Sequence, residues 1–135
     1  MPHALKKYQI DVFLSPDNFC AIRTKVPTVL VVHDLAYLHF PIHTRRRDLW
    51  YYRYFMPRYI QRANRIITVS EFTKQDIIKQ FGMTGKKIAV AYNGVRTVFQ
   101  PISDTEKEYI KAEYTQGNDY FFMWVPYILA KMYIV

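Results

Sequence analysis

Two side chains capable of proton chemistry follow an apolar run in "TVLVVHDLAY", His33 and Asp34. An imidazole can accept a proton, donate a hydrogen bond or stabilise charge near neutral pH. In open α/β sheets, ligands bind at the carboxyl ends of the strands, so the pair are candidate catalytic residues. The competing reading is that Asp34 caps a turn and His33 merely packs. Ser70 and Glu71 in "IITVSEF", and Asn93 and Gly94 in "VAYNGV", close two further β-rich runs and are candidates to line the same cleft. Each has a plainer role available: Ser70 as a helix cap, Asn93-Gly94 as a turn that tolerates positive φ. His39 and His43 are spaced like metal ligands on a helix, but Pro41 separates them and no third ligand is evident, so no metal is expected. There is no P-loop, no G-x-G-x-x-G and no nucleophile elbow.

A second concentration of chemistry lies in "RRRDLWYYRYFMPRYIQRANR", with seven arginines against one aspartate. Arg45, Arg46, Arg47 and Arg53, with Trp50 among them, suit docking on anionic lipid headgroups. Contact with nucleic acid, or an ordinary solvated helix face, would use the same residues. Arg47, Arg58, Arg62 and Arg65 can share the side opposite the apolar stripe.

These residues need elements to position them, and the chain supplies an alternation. "DVFLS" (Asp11 to Ser15), "TVLVVHD" (Thr28 to Asp34), "RIITVS" (Arg65 to Ser70) and "KIAVAYN" (Lys87 to Asn93) read as strands. The near-continuous apolar character of the second is that of a parallel strand buried on both faces. Leu49, Tyr52, Met56, Tyr59, Ile60 and Ala63 recur at helical spacing across Thr44 to Ala63, with Pro57 placed to kink or divide that helix. A second helix is expected from Glu71 to Phe81, stopped by Gly82. A polar helix from Asp104 to Tyr114 follows, then a turn over Gln116 to Asp119. Strands alternating with helices imply α/β architecture with an incomplete Rossmann-like parallel sheet and flanking helices.

Composition agrees with a globular unit. Half of the 135 residues are hydrophobic, twelve are Tyr and nine are Phe. The formal charge of +8 favours an anionic partner. The single Cys20 cannot form an internal disulfide, and "MPHALKKYQ" lacks the apolar core of a signal peptide, so a cytoplasmic location is expected.

Taken in order, "DVFLSPD", "VPTVLVVHDLAYLHFP", "YYRYFMPRYIQRANRIITVSEFTKQDII" and "KIAVAYNGVRTVFQP" resemble the family-4 type of retaining GT-B glycosyltransferases. The resemblance covers roughly Leu5 to Phe122 and matches the second half of the N-terminal, acceptor-side domain. It implies two Rossmann-like domains facing a cleft, with a nucleotide-sugar donor held by the C-terminal domain and a glycan or lipid-linked acceptor by the N-terminal one. His33 would then lie in the cleft beside Asp34, with Ser70, Glu71, Asn93 and Gly94 on its border. The arginine-rich helix resembles the face on which many relatives rest at a membrane, here the inner face of the cell membrane. No cofactor is implied, the nucleotide-sugar being a co-substrate, and no nucleic acid is expected. A small basic module for nucleic acid or anionic membrane is the alternative function.

The expected organisation is a partial N-terminal domain over residues 1–100, a linker and helix over 101–122, and an aberrant tail over 123–135. The family's opening strand and its donor domain have no counterpart here, so a truncated chain without activity of its own is expected. "YFFMWVPYILAKMYIV" is too short and too interrupted for a spanning helix, which needs roughly 20 apolar residues. Read one base earlier, its codons force Val-Gly after the Tyr or His position and admit YVGSLHPRKNV, a form found in relatives. The tail is therefore read as a frameshift product.

Overall fold

The computed structural model describes residues 1–123 and 131–134. The chain divides into two compact units, Met1–Gly94 and Val95–Val135. In the first, four strands form an all-parallel sheet in consecutive order: β1 (Phe13–Ser15), β2 (Thr28–Val32), β3 (Arg65–Thr68) and β4 (Ile88–Val90). Helix α1 (Pro2–Lys7) precedes them. Helices α2 (Ala36–His39) and α3 (Arg46–Arg62) connect β2 to β3, and α4 (Glu71–Phe81) connects β3 to β4. The expected α/β class and Rossmann-like arrangement are what this unit adopts.

One face of the sheet makes the core. Leu30 and Val32 of β2, Ile66 of β3 and Ile88 of β4 pack against Met56, Tyr59, Ile60 and Ala63 of the α3 segment and Ile77 of α4. The opposite face is less covered than the apolar run of β2 suggests: Val29, Val31 and Ile67 are half-buried, and Leu14 is 56 % exposed. The cause is topological. Successive parallel crossovers of one hand, advancing in one direction along the sheet, place their helices on the same side.

Helix α3 runs unbroken through Pro57, so of the kink or division expected there, division does not occur. Proline removes one backbone donor, and the acceptor it leaves unpaired, the carbonyl of Arg53, belongs to an exposed residue that water can reach. The helix ends at Ala63, where the Asn64 side chain accepts from the Thr28 N–H (3.0 Å) and fixes the start of β2. Arg62 is not on the free basic face: its guanidinium donates to the carbonyls of Thr24 and Val26 and to Asn64 Oδ1. Helix α4 begins and ends as its sequence dictates. The Ser70 hydroxyl accepts from the Thr73 N–H at 3.1 Å, and Gly82 stops it in the left-handed region at φ 61°.

In the second unit, α5 (Asp104–Thr115) starts in a capping box, Ser103 and Glu106 each bonding the other's backbone N–H. Gln116 and Gly117, both at positive φ, then turn the chain. Strands β5 (Tyr120–Met123) and β6 (Lys131–Ile134) pair antiparallel. Residues 124–130 and 135, most of the segment read as out of frame, lie outside the described residues. No helix among the described residues is long and apolar enough to cross a membrane.

Met56 has no solvent exposure and sits at the centre of the core. Met56→Ala should lower unfolding free energy by about 2–5 kcal/mol, the range for truncating a buried aliphatic side chain, read from urea titrations followed by circular dichroism.

Candidate functional site at the carboxyl edge of the sheet

His33 follows the last residue of β2, so the register of the parallel sheet carries it to the carboxyl edge beside the end of β3. Both backbone groups and the ring are fixed there. The His33 N–H donates to Asn18 Oδ1 (3.1 Å), and its carbonyl accepts from the Thr73 hydroxyl (3.2 Å). Ring Nε2 lies 2.9 Å from the Pro16 carbonyl. A carbonyl only accepts, so Nε2 carries the proton and a neutral ring keeps Nδ1 as its lone-pair acceptor. His33 is exposed, which leaves it accessible to a ligand.

Asp34 is also exposed and spends one oxygen locally, Oδ1 accepting from the Ala36 N–H at 2.9 Å. The turn-capping role and a place at the edge therefore coexist in one side chain. Ser70 joins His33 through Thr73: the Ser70 and Thr73 hydroxyls are 3.0 Å apart, and the Thr73 hydroxyl reaches the His33 carbonyl. Glu71 points outward and pairs with Lys74 at 3.7 Å. Asn93 and Gly94 are exposed and lie beyond β4, which ends at Val90, three residues before the expected boundary. Neither has positive φ; among the described residues the left-handed positions are Gln9, Gly82, Gln116 and Gly117. The turn expected at Asn93-Gly94 is thus not of that kind.

Aromatic side chains brace this edge. Tyr52 lies between Phe19 and Tyr37, stacked at ring distances of 6.3 and 5.3 Å. Burial raises the Tyr52 hydroxyl pKa, and the nearby carboxylates of Asp17, Asp48 and Asp34 raise it further. Three carboxylates from separate parts of the sequence thus act on the Tyr52 hydroxyl. Tyr37 is pushed up to about 12, chiefly by desolvation, and burial likewise raises Tyr59 and the Cys20 thiol.

His39 pairs with Asp76 rather than with His43. Its Nε2 lies 2.6 Å from Asp76 Oδ2, and Gln80 donates to Asp76 Oδ1 at 3.3 Å. This contact ties α2 to α4 over a carboxylate that is nearly buried. Among the described residues, no group of three or more His, Cys, Asp or Glu could hold a metal ion. Sequence reading missed Asn18, Thr73 and Asp76. Only Asp76 carried a signal, an acid beside Ile77 on the inward stripe of α4, where a charge needs a partner.

In an open parallel α/β sheet, the carboxyl ends of the strands, where this histidine is held, are where ligands bind. The profile of Glycosyltransferase Family 4 matches residues 1–99, and the chain belongs to that family. No curated protein and no solved structure matches it.

The tyrosines give this region a pH signature. Tyr37 ionises near the ordinary tyrosine value of 10.0 when unfolded but stays protonated to about 12 when folded. Between those values the folded state binds more protons, so stability falls as pH rises. Urea midpoints should hold up to about pH 10 and then decline towards pH 12, and Tyr37→Phe should shallow that decline.

Proposed function

We propose that this chain forms the acceptor-side wall of a retaining GT-B glycosyltransferase acting on a glycan or lipid-linked acceptor, at the cytoplasmic face of a membrane. The observation that carries the reading is His33, exposed at the carboxyl edge with Nε2 bound to Pro16 and Nδ1 left to accept. In the reaction the acceptor hydroxyl oxygen bonds to the anomeric carbon of a nucleotide-sugar. The bond from that carbon to the diphosphate oxygen breaks, and the nucleoside diphosphate leaves with the electron pair and receives the hydroxyl proton. His33 Nδ1 accepts a hydrogen bond from the acceptor and orients it, and the second oxygen of Asp34 receives a neighbouring hydroxyl. Ser70 and Glu71 border the cleft at the start of α4, with Asn93 and Gly94 beyond β4.

The carboxylates near Tyr52 imply a division of labour. A departing diphosphate needs cationic or dipolar stabilisation, and Asp17, Asp34 and Asp48 supply the opposite charge on this wall. The opposing wall must furnish it. Turnover of a UDP- or GDP-sugar by the purified 135-residue chain should stay at background. Fusion of the chain to the donor-binding half of a family 4 enzyme should give transfer, falling about 100-fold in His33→Ala, the scale of losing one oriented polar group. Transfer unchanged by that substitution would remove His33 from the mechanism.

The arginine-rich helix supports peripheral membrane contact. Arg45, Arg46 and Arg47 occupy the start of α3, where a helix dipole disfavours positive charge. They and Arg53 are exposed and form no ion pair among the described residues. Along the outermost stripe, Trp50 stacks on Tyr54 at 5.6 Å, and the Arg58 guanidinium lies 3.6 Å from the Tyr54 ring centre. Aromatic rings interleaved with cations suit a headgroup layer. The chain should co-sediment with vesicles containing anionic phospholipid and not with neutral ones. Arg46→Glu with Arg53→Glu should weaken that association at least about 30-fold, since each cation near an anionic surface contributes about 1 kcal/mol. Equal binding to neutral vesicles would refute the electrostatic contact.

A further inference from the structure

The two ends of the sheet differ in charge. Toward the carboxyl edge, the carboxylates of Asp17, Asp34 and Asp48 lie near the Tyr52 hydroxyl. The amino edge is cationic: Arg65 opens β3, Lys86 and Lys87 lead into β4, and Lys25 stands three residues before β2. A hollow of about 640 Å³ lies at this amino edge, between α1 and the segment that leads into β2. Lys6, Arg23 and Lys25 line it, and no acid does; Asp11, next to Ile10 in the chain, is outside the lining. All three cations are exposed, and none enters an ion pair among the described residues.

The walls of the hollow are held in place by the fold. On one side the Arg62 guanidinium donates to the carbonyls of Thr24 and Val26, and the Thr24 hydroxyl oxygen accepts from the Val26 N–H at 3.1 Å. On the other side Leu5 is buried, and its carbonyl accepts from the Ile10 N–H at 3.1 Å. Three like charges facing one opening repel each other, and a bound anion relieves that repulsion. A carboxylate brings one negative charge, whereas a phosphate monoester brings nearly two at neutral pH. Ile10 and half-buried Val26 add apolar surface to the same lining, and Ile10 is still 38 % exposed. Charge and apolar area together suit a ligand with both.

We propose that this hollow binds a small organic phosphate ester, its phosphate met by Lys6, Arg23 and Lys25 and its apolar body seated on Ile10 and Val26. The five residues of β2, at about 3.3 Å each, set the hollow roughly 16 Å from the His33 edge. Its ligand is therefore not the one that His33 would orient.

The probe is 1-naphthyl phosphate, titrated into the full chain and followed by its fluorescence anisotropy, with inorganic phosphate and 1-naphthol as competitors. Saturable 1:1 binding is expected, at least about ten-fold tighter than that of inorganic phosphate because the ring covers apolar surface. Naphthol should not compete measurably. Lys6→Ala and Lys25→Ala, both at exposed positions, should each weaken binding about ten-fold, the scale of one charge-assisted hydrogen bond. In the unsubstituted chain, the methyl resonances of Ile10 and Val26 should shift on titration, a readout that needs no variant to fold. Displacement of the probe by phosphatidic acid vesicles would assign the phosphate to a lipid headgroup; retention of the probe would assign it to a soluble ester. Absence of saturable binding, equal affinity for inorganic phosphate, methyl shifts confined to other residues, or affinity unchanged in both lysine variants would overturn the proposal.

Discussion

Parallel strands cannot be joined by a tight turn, and the consequences of that constraint organise the first unit. From Val32 the chain must travel back along the sheet before Arg65 can begin β3 in register. Residues 33–64 make that journey, and α3 is most of it. The outward leg places His33 and Asp34 at the carboxyl edge. The return leg begins near the same edge, so the arginines at the head of α3 lie close to the histidine loop, whereas Arg62 at its foot anchors the opposite end to Thr24 and Val26. One connection therefore determines both the reactive edge and the basic helix face.

Tight packing along this connection explains the aromatic composition. Phe19, Tyr37, Tyr52 and Tyr59 fill the space between the loop after β1 and α3, ring against ring. The Tyr59 hydroxyl pairs with that of Tyr51, and the carboxylates of Asp17, Asp48 and Asp34 lie near the Tyr52 hydroxyl. A wall made this way is stiff, because planar rings bury large area with few rotatable bonds. Stiffness matters where one histidine nitrogen must be presented to a ligand while the other stays on a backbone carbonyl.

Much of this was legible in the sequence, and the boundary is physical. Ser70 and Gly82 delimit α4 because capping and left-handed stops are local rules, and β2 and α3 announce themselves by periodicity. Helix α1 carries only Leu5 as a buried residue, too little for a pattern. The early end of β4 at Val90 and the intact helix through Pro57 depend on which backbone groups find partners, and composition does not report that. Thr73 was invisible for the same reason: its importance lies in a contact with a residue 40 positions away. The Rossmann-like class followed from alternation alone, whereas the one-sided cover of the sheet required the strand order.

That one-sided cover has a consequence for the life of the molecule in a cell. With Leu14 exposed on β1, and Val29, Val31 and Ile67 only partly sheltered, the sheet presents to any neighbouring copy an oily flank and, among the described residues, an unpaired ladder along β1. Encounters of that kind rise with the square of concentration, and edge strands template them. Persistence in solution should thus be governed by crowding among identical chains and by holdase chaperones that shield such flanks, more than by the free energy of the isolated fold.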